Sequence, residues 1–216
     1  MVQQERAIQT RRVILEAAAQ VFAEHGYVAA TIADILKTAG VTKGALYFHF
    51  DSKELLAQGV LELQTEQPLP PQEIKLQEVA DIAMTVAHRL PIDAVLRAGA
   101  RLSSDPTGRQ HYGTAWTSWI DVLADLLAKA QQCGEVLPHV EPREIAELIV
   151  STFHGVQLYS QLENNLSDVE YRVSVLLNHL MPSIAAPAVL LRLDVTPDRG
   201  ARVFNEASHM QATEVA

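Results

Sequence analysis

The stretch Thr31-Ile-Ala-Asp-Ile-Leu-Lys-Thr-Ala-Gly40-Val-Thr-Lys-Gly-Ala-Leu-Tyr-Phe-His-Phe50 decides the reading of this chain. Thr31 is an N-cap candidate, and Ile32, Ile35 and Leu36 recur at the spacing of one apolar helical face. Lys37, Thr38 and Gly40 stop that helix where glycine takes a positive φ at little cost. Thr42 caps a second helix. Two short helices joined through a glycine turn match the helix-turn-helix pattern, whose second helix enters the major groove of DNA. The same spacing fits an ordinary helical hairpin with a solvated basic end, so the turn alone leaves both readings open.

The outer face of the second helix favours nucleic acid. Thr42 and Lys43 lie in its first turn, where side chains and backbone N–H groups can meet phosphate. Gly44 and Ala45 are small enough to let the backbone approach a duplex, and Tyr47 and His49 offer aromatic bodies with polar tips. Leu46, Phe48 and Phe50 are expected to face inward. Thr31 completes the DNA-facing set. Asp51 or Ser52 caps a fourth helix with Glu54 in its first turn, and Lys53 beside that positive helix end is expected to contact phosphate. Upstream, Gln9 to His25 carries Val13, Ile14, Ala17, Ala18, Val21 and Phe22 on one face, and Gly26 is expected to end that helix. Arg6, Arg11 and Arg12 either reach the DNA backbone or form a solvated charged end.

A chain of 216 residues, 48% hydrophobic, can bury one small DNA-binding module and one larger domain. The net charge of −9 is unevenly spread: residues 1–58 hold six Lys/Arg and six Asp/Glu, residues 59–216 eleven and twenty. Only the N-terminal end is therefore suited to phosphate. The single cysteine, Cys133, precludes an internal disulfide and suits a reducing cytoplasm. Gln3-Gln4-Glu5-Arg6 is no signal-peptide core, and the longest apolar run, Ile184 to Leu191, is too short for a membrane span.

The fourth helix runs to about Gln64, a lever of roughly 20 Å at 1.5 Å per residue. Gln67-Pro68-Leu69-Pro70-Pro71 breaks it. Beyond lie expected helices at about 72–89, 91–103, 110–132, 142–163, 168–181 and 183–192, punctuated by Pro91, Gly134, Pro142, Pro182 and a Ser167/Glu170 capping box. No strand-like alternation or internal repeat is visible, so the fold class is all-α: a three-helix N-terminal domain joined by a fourth helix to a larger helical domain. No G-x-S-x-G, P-loop, G-x-G-x-x-G or H-E-x-x-H motif occurs, and the eight histidines are scattered with no i, i+4 pair. Neither an enzyme nor a metal or cofactor is expected; a hydrolase using His88, His154 or Cys133 is the catalytic alternative.

Phe22, Gly26, Tyr27, Thr31, Ile35, Ala39, Gly40, Val41, Gly44, Tyr47 to Phe50, Lys53 and Leu56 together resemble the DNA-binding domain of the tetracycline-repressor (TetR) family. The run Val41 to Phe50 resembles more narrowly its γ-butyrolactone autoregulator receptors. The resemblance implies a cytoplasmic homodimeric repressor of a roughly palindromic operator, released by a small effector. The effector would be a γ-butyrolactone or, alternatively, an antibiotic or biosynthetic intermediate. A ligand-independent DNA-binding protein is a further alternative, as is a hydrolase acting on a lactone. Expected boundaries are 1–52 for the DNA-binding domain, 53–202 for the ligand-binding and dimerisation domain, and 203–216 for a disordered tail.

In the second domain, Trp116, Trp119, Ile120, Leu123 and Leu127 form one helical stripe, which fits a core face as well as a ligand face. Thr152 interrupts an apolar stripe with a hydroxyl, and Gln64 puts an amide at the end of the lever. With Val86, Leu123 and Phe153 these would make an apolar slot with a few polar groups. Trp116 to Asp121 resembles the ligand-pocket helix of the butyrolactone receptors, which puts Trp119 first among the candidates. The helix pair 142–163 and 168–181 is apolar on more than one side, so either both stripes pack within one chain or, more economically, a second subunit covers one of them, with Phe153, Val156, Leu158 and Leu162 as candidate contacts. Family resemblance implies a four-helix interface there.

Overall fold

A computed structural model describes residues 2–65, 69–105 and 108–214, and every regular element among them is helical. The helices are α1 (Val2–Ala29), α2 (Ile32–Ala39), α3 (Lys43–His49), α4 (Lys53–Glu62), α5 (Lys75–Arg89) and α6 (Ala94–Ser103). There follow α7 (Arg109–Tyr112), α8 (Trp116–Gln132), α9 (Pro142–Asn164), α10 (Val169–Ile184), α11 (Pro187–Leu190) and α12 (Arg199–Glu214). The chain divides into two compact units, Met1–Glu66 with Ile92–Trp116, and Gln67–Pro91 with Thr117–Ala216.

In the first unit α1 is the spine. Ile14, Leu15, Ala18 and Phe22 are fully buried on it, and α2, α4 and α6 pack against it. Gly26 ends the first helical run, as its residue type suggests: at φ 73° and ψ 174° it is non-helical, and one short further turn resumes beyond it to Ala29, so α1 is two helical stretches meeting at this glycine. The resumption has identifiable supports. Arg101 of α6 donates from one guanidinium nitrogen to the carbonyls of Ala23 at 2.9 Å and Glu24 at 2.8 Å, satisfying acceptors that the kink frees. A Cβ at Gly26 would lie 3.0 Å from the Arg101 Nε, so the glycine also makes room for its partner.

Two expected boundaries move. The helix α4 belongs to the first unit rather than to the larger domain, because Leu56, Ala57, Val60 and Leu61 are all buried within that unit. The helices α6 and α7 belong there as well. A helix expected over 110–132 is broken into α7 and α8 at Gly113, whose φ of 76° lies in the left-handed region. Of the breaker Gln67 to Pro71, the first two residues lie outside the described residues, and the remaining three are irregular.

The second unit is built on α5, which packs against α10 and α12, while α9 packs against α10. Leu76, Val79, Ala80, Met84 and Ala87 of α5 are buried, as are Val173, Leu177 and Met181 of α10. The expected Ser167/Glu170 box is absent from the start of α10. Asp168 is the N-cap residue, and its carboxylate accepts from Ser160 Oγ, Asn164 Nδ2 and Arg172 Nε at 2.5–2.7 Å. Those contacts, led by the Ser160 hydroxyl, hold Asp168 below the usual carboxylate range. Pro182 sits inside α10 without an N–H to donate, and the helix continues two residues beyond it to Ile184.

The largest departure is at the C-terminus, where residues expected to form a disordered tail form most of α12. Val203 is fully buried, Arg199 is paired to Asp81, and Gly200 lies so close to α5 that a Cβ there would fall 2.1 Å from the Met84 carbonyl oxygen. The sequence of α12 is polar apart from Val203, Phe204, Ala207 and Met210, and the ion pair to Asp81 and the close backbone approach add to that narrow stripe in fixing it.

Candidate nucleic-acid interface

Each short helix of the N-terminal motif is held by its own cap. Thr31 Oγ1 accepts from the Asp34 N–H at 3.2 Å, and Thr42 Oγ1 accepts from the Ala45 N–H at 3.2 Å. Such caps are worth about 1 kcal/mol each, which matters in helices this short. Gly40 closes α2 in the left-handed conformation with its N–H on the Leu36 carbonyl at 3.0 Å. Ile35, Leu46 and Phe50 are buried and fasten the pair to the unit.

That anchoring leaves Thr42, Lys43, Gly44 and Tyr47 exposed on α3, with Thr31 exposed at the start of α2. The Lys43 ammonium lies 5.7 Å from the centre of the Tyr47 ring, so an i, i+4 cation–π pair holds both groups on one outward strip. A Cβ added to Gly44 would meet nothing within 4 Å, so no neighbour inside the unit requires a glycine and the space it leaves faces outward. His49 is half-buried, its ring 5.0 Å from Phe48 and 6.5 Å from Phe50. Phe48 departs from expectation: it is 79% exposed, because Leu46 and Phe50 already fill the inward side of a seven-residue helix.

Lys53 also takes an internal role. Its ammonium donates to the carbonyls of Tyr27 at 2.8 Å and Ala30 at 3.0 Å and lies 4.4 Å from the centre of the Tyr27 ring. Two of its three N–H donors are thus spent fixing the end of α1, and a phosphate could take only the third. The Tyr27 hydroxyl donates to Glu54 at 2.8 Å; burial first, and then that carboxylate, push the phenol well above its ordinary pKa. Of the early arginines, Arg11 lies over the Phe50 ring at 5.2 Å and Arg12 pairs with Glu16 at 3.0 Å.

The residues expected to bind an effector fall in both units. Gln64 and Trp116 are in the first; Val86, Trp119, Leu123, Thr152 and Phe153 are in the second. Gln64 is buried in a 3-10 turn after α4, donates to the Leu61 carbonyl at 3.4 Å, and packs where a Cβ on Gly99 would lie, 2.0 Å from its Nε2. Leu123 is buried, whereas Val86, Trp116, Trp119 and Phe153 are half-buried. Thr152 is satisfied locally, its hydroxyl 2.5 Å from the Leu148 carbonyl and 3.2 Å from that of Ile149, which leaves only oxygen lone pairs for a ligand. Two residues adjacent in sequence to these, Thr85 and His154, are not among the expected effector contacts. Burial of His154 lowers its pKa, and the buried Thr85 hydroxyl beside Val86 has no hydrogen-bond partner among the described residues.

Of the expected dimer contacts, Val156 and Phe153 are half-buried while Leu158 and Leu162 are exposed. Leu148, Leu158 and Leu162 of α9 and Tyr171 and Val175 of α10 leave apolar side chains uncovered on two helices that pack together.

A capped helix-turn-helix pair with an outward-facing basic and aromatic strip, in a chain with a separate helical unit, defines a one-chain DNA-binding regulator. Residues 14–60 match the family model of bacterial regulatory proteins of the tetR family. Over 196 residues the chain is 41% identical to the A-factor receptor protein of Streptomyces griseus, covering 89% of this chain and 70% of that protein. TylP, a TetR regulator from Streptomyces fradiae, matches in structure with a TM-score of 0.89 and 43% identity, across 96% of this chain and 93% of TylP. An ArpA-like γ-butyrolactone receptor matches with a TM-score of 0.64 and 26% identity, across 93% of this chain and 99% of that one. The chain belongs to the TetR family and is a DNA-binding transcriptional repressor related to the A-factor and γ-butyrolactone receptors. No helix among the described residues is long and apolar enough to cross a membrane.

Proposed function

We propose that this repressor acts in the cytoplasm as a homodimer on a roughly palindromic operator and leaves it when each subunit binds a γ-butyrolactone-type autoregulator, thereby controlling secondary metabolism. The observation that carries this reading is the extent of the likeness to the A-factor receptor, which takes in 89% of the chain and so reaches far beyond the DNA-binding module. In the second unit the effector meets Trp119, Val86, Leu123 and Phe153 through its alkyl part and the Thr152 oxygen through a hydroxyl. It is bound and released unchanged. Coupling between effector and operator of about 1–3 kcal/mol per site, the usual range, empties the operator when both subunits are loaded.

On the DNA side, Lys43 reads a base or a phosphate while Tyr47 supports it. Lys43→Ala is expected to weaken specific binding by roughly 1–3 kcal/mol if a base is read, or to reduce the salt slope by about one if only phosphate is met. Fluorescence anisotropy across a salt series separates the two. A Lys43→Ala, Tyr47→Ala double variant with unchanged affinity and salt dependence would remove α3 as the reader.

On the effector side, Trp119→Ala should bind DNA as the wild type does and no longer be released by lactone. A thermal-shift screen with lactones and antibiotics identifies the effector first, because a ligand of the folded state raises the melting temperature. Release of the variant at the wild-type lactone concentration, or loss of its helical circular dichroism, would place Trp119 in the core instead. A shift with antibiotics alone would replace the lactone by an antibiotic as effector.

A further inference from the structure

We infer that Phe48 is a sequence-determining contact of the operator and that it recognises the 5-methyl group of a thymine. The inference rests on α3 being the DNA reader and adds to it a base and an atom.

An aromatic ring on the surface of a DNA-binding unit is not evidence by itself, since single exposed apolar residues are common. The position of this one is what matters. Gly44 and Phe48 are four residues apart, so they share the side of α3 opposite the buried Leu46 and Phe50, and Tyr47 borders that side one turn from Gly44. Phe48 is far more exposed than Tyr47, 79% against 40%, so most of its ring is open to a partner. Its ring meets the His49 ring edge-on, at 85° and 5.0 Å, which orients it without covering it. The empty space outside Gly44, one helical turn away, lets this side come close to a duplex.

A phenyl ring has no hydrogen-bonding group, so it cannot read any of the donor and acceptor patterns on base edges. The one apolar feature that a base pair shows in the major groove is the thymine methyl, which distinguishes thymine from cytosine as well as orienting an A·T pair. Lys43 and Tyr47, paired one turn apart on the neighbouring side of α3, carry the polar contacts. Phe48 thus supplies a complementary, methyl-dependent one, and desolvating both ring and methyl drives the contact.

The test begins by selecting duplexes from a random-core double-stranded library with the wild-type protein. Each thymine of the selected duplex is then replaced singly by deoxyuridine, which removes the methyl and changes nothing else on the pair. Burial of one methyl predicts a roughly 3–5-fold loss of wild-type affinity at one position in each half-site, and about tenfold or more when both half-sites are changed. Phe48→Ala should bind the thymine and deoxyuridine duplexes equally, with unchanged circular dichroism and melting temperature. Phe48→Leu, which keeps an apolar group, should retain part of the discrimination. Equal thymine-to-deoxyuridine ratios for wild type and Phe48→Ala at every position would overturn the inference while leaving α3 as the reader. Failure to select any duplex would overturn the reader and the inference together.

Discussion

Asp81→Ala is expected to lower the unfolding free energy of the second unit by about 3–5 kcal/mol, the usual consequence of stranding one partner of a buried ion pair. The Asp81 side chain is 1% exposed and that of Arg199 15%. The pair is bidentate, Arg199 Nε to Oδ1 at 2.8 Å and the terminal nitrogen to Oδ2 at 2.6 Å, the geometry that makes such contacts strongest. The hydrogen bond to Asp81 is also the main reason that the guanidinium pKa is raised. Gln77 extends the network: its Nε2 donates to Asp81 at 2.7 Å and to the Asp194 carbonyl at 2.9 Å, and its Oε1 accepts the Asp194 N–H at 2.8 Å. One substitution thus leaves a mostly covered guanidinium with only the longer contact to Asp194, at 3.9 Å, and a half-satisfied amide on the seam between α5 and α12. Urea denaturation followed by circular dichroism measures the loss. A joint Asp81→Leu, Arg199→Met variant should recover most of it, because the cost lies in the unpaired charge and not in the absence of the pair. A loss below about 1 kcal/mol for Asp81→Ala would show that the pair is solvated in solution and worth no more than a surface bridge.

The same seam shows what the sequence can and cannot reveal. Thr31, Gly40 and Thr42 are legible because a cap is decided within four residues, and the helices they delimit fall where the local chemistry puts them. Ile35, Leu46 and Phe50 are legible because their spacing marks an inward face. Gly26 is legible as the end of a helical run, whereas the short turn that resumes after it is not, because its support, Arg101 on the carbonyls of Ala23 and Glu24, lies more than seventy positions away. Lys53 points to phosphate on the strength of a nearby helix dipole, while the carbonyls that take two of its donors come from the end of α1 and the residue after it. Phe48 belongs inside by its type, although two buried residues suffice to hold seven. The helix α12 is invisible because its anchor, Asp81, is 118 positions distant and its own composition is mostly polar. Contacts that depend on distant partners leave no local periodicity.

Leu158→Glu is expected to convert a dimer into a monomer at micromolar concentration and to lower operator affinity by roughly 10²–10⁴, the factor by which linking two half-site contacts exceeds one. In the single chain Leu158 is 46% exposed, Leu162 75% and Tyr171 63%, with Leu148 and Val175 beside them on the same two helices. A run of large apolar side chains along adjacent helices is costly in water and marks an interaction surface. A two-fold axis satisfies it economically, because the same patch serves both subunits and each residue is buried twice. A glutamate at position 158 would place two unpaired charges in that interface and cost several kcal/mol, enough to dissociate it. Val156 separates this outcome from simple unfolding. It is half-buried on the other side of α9, so Val156→Glu should reduce the melting temperature of the chain, whereas Leu158→Glu should leave the helical circular dichroism of the folded chain intact. Sedimentation velocity reads the oligomeric state directly. If Leu158→Glu still sediments as a dimer, the exposed stripe of α9 and α10 is not the contact between subunits.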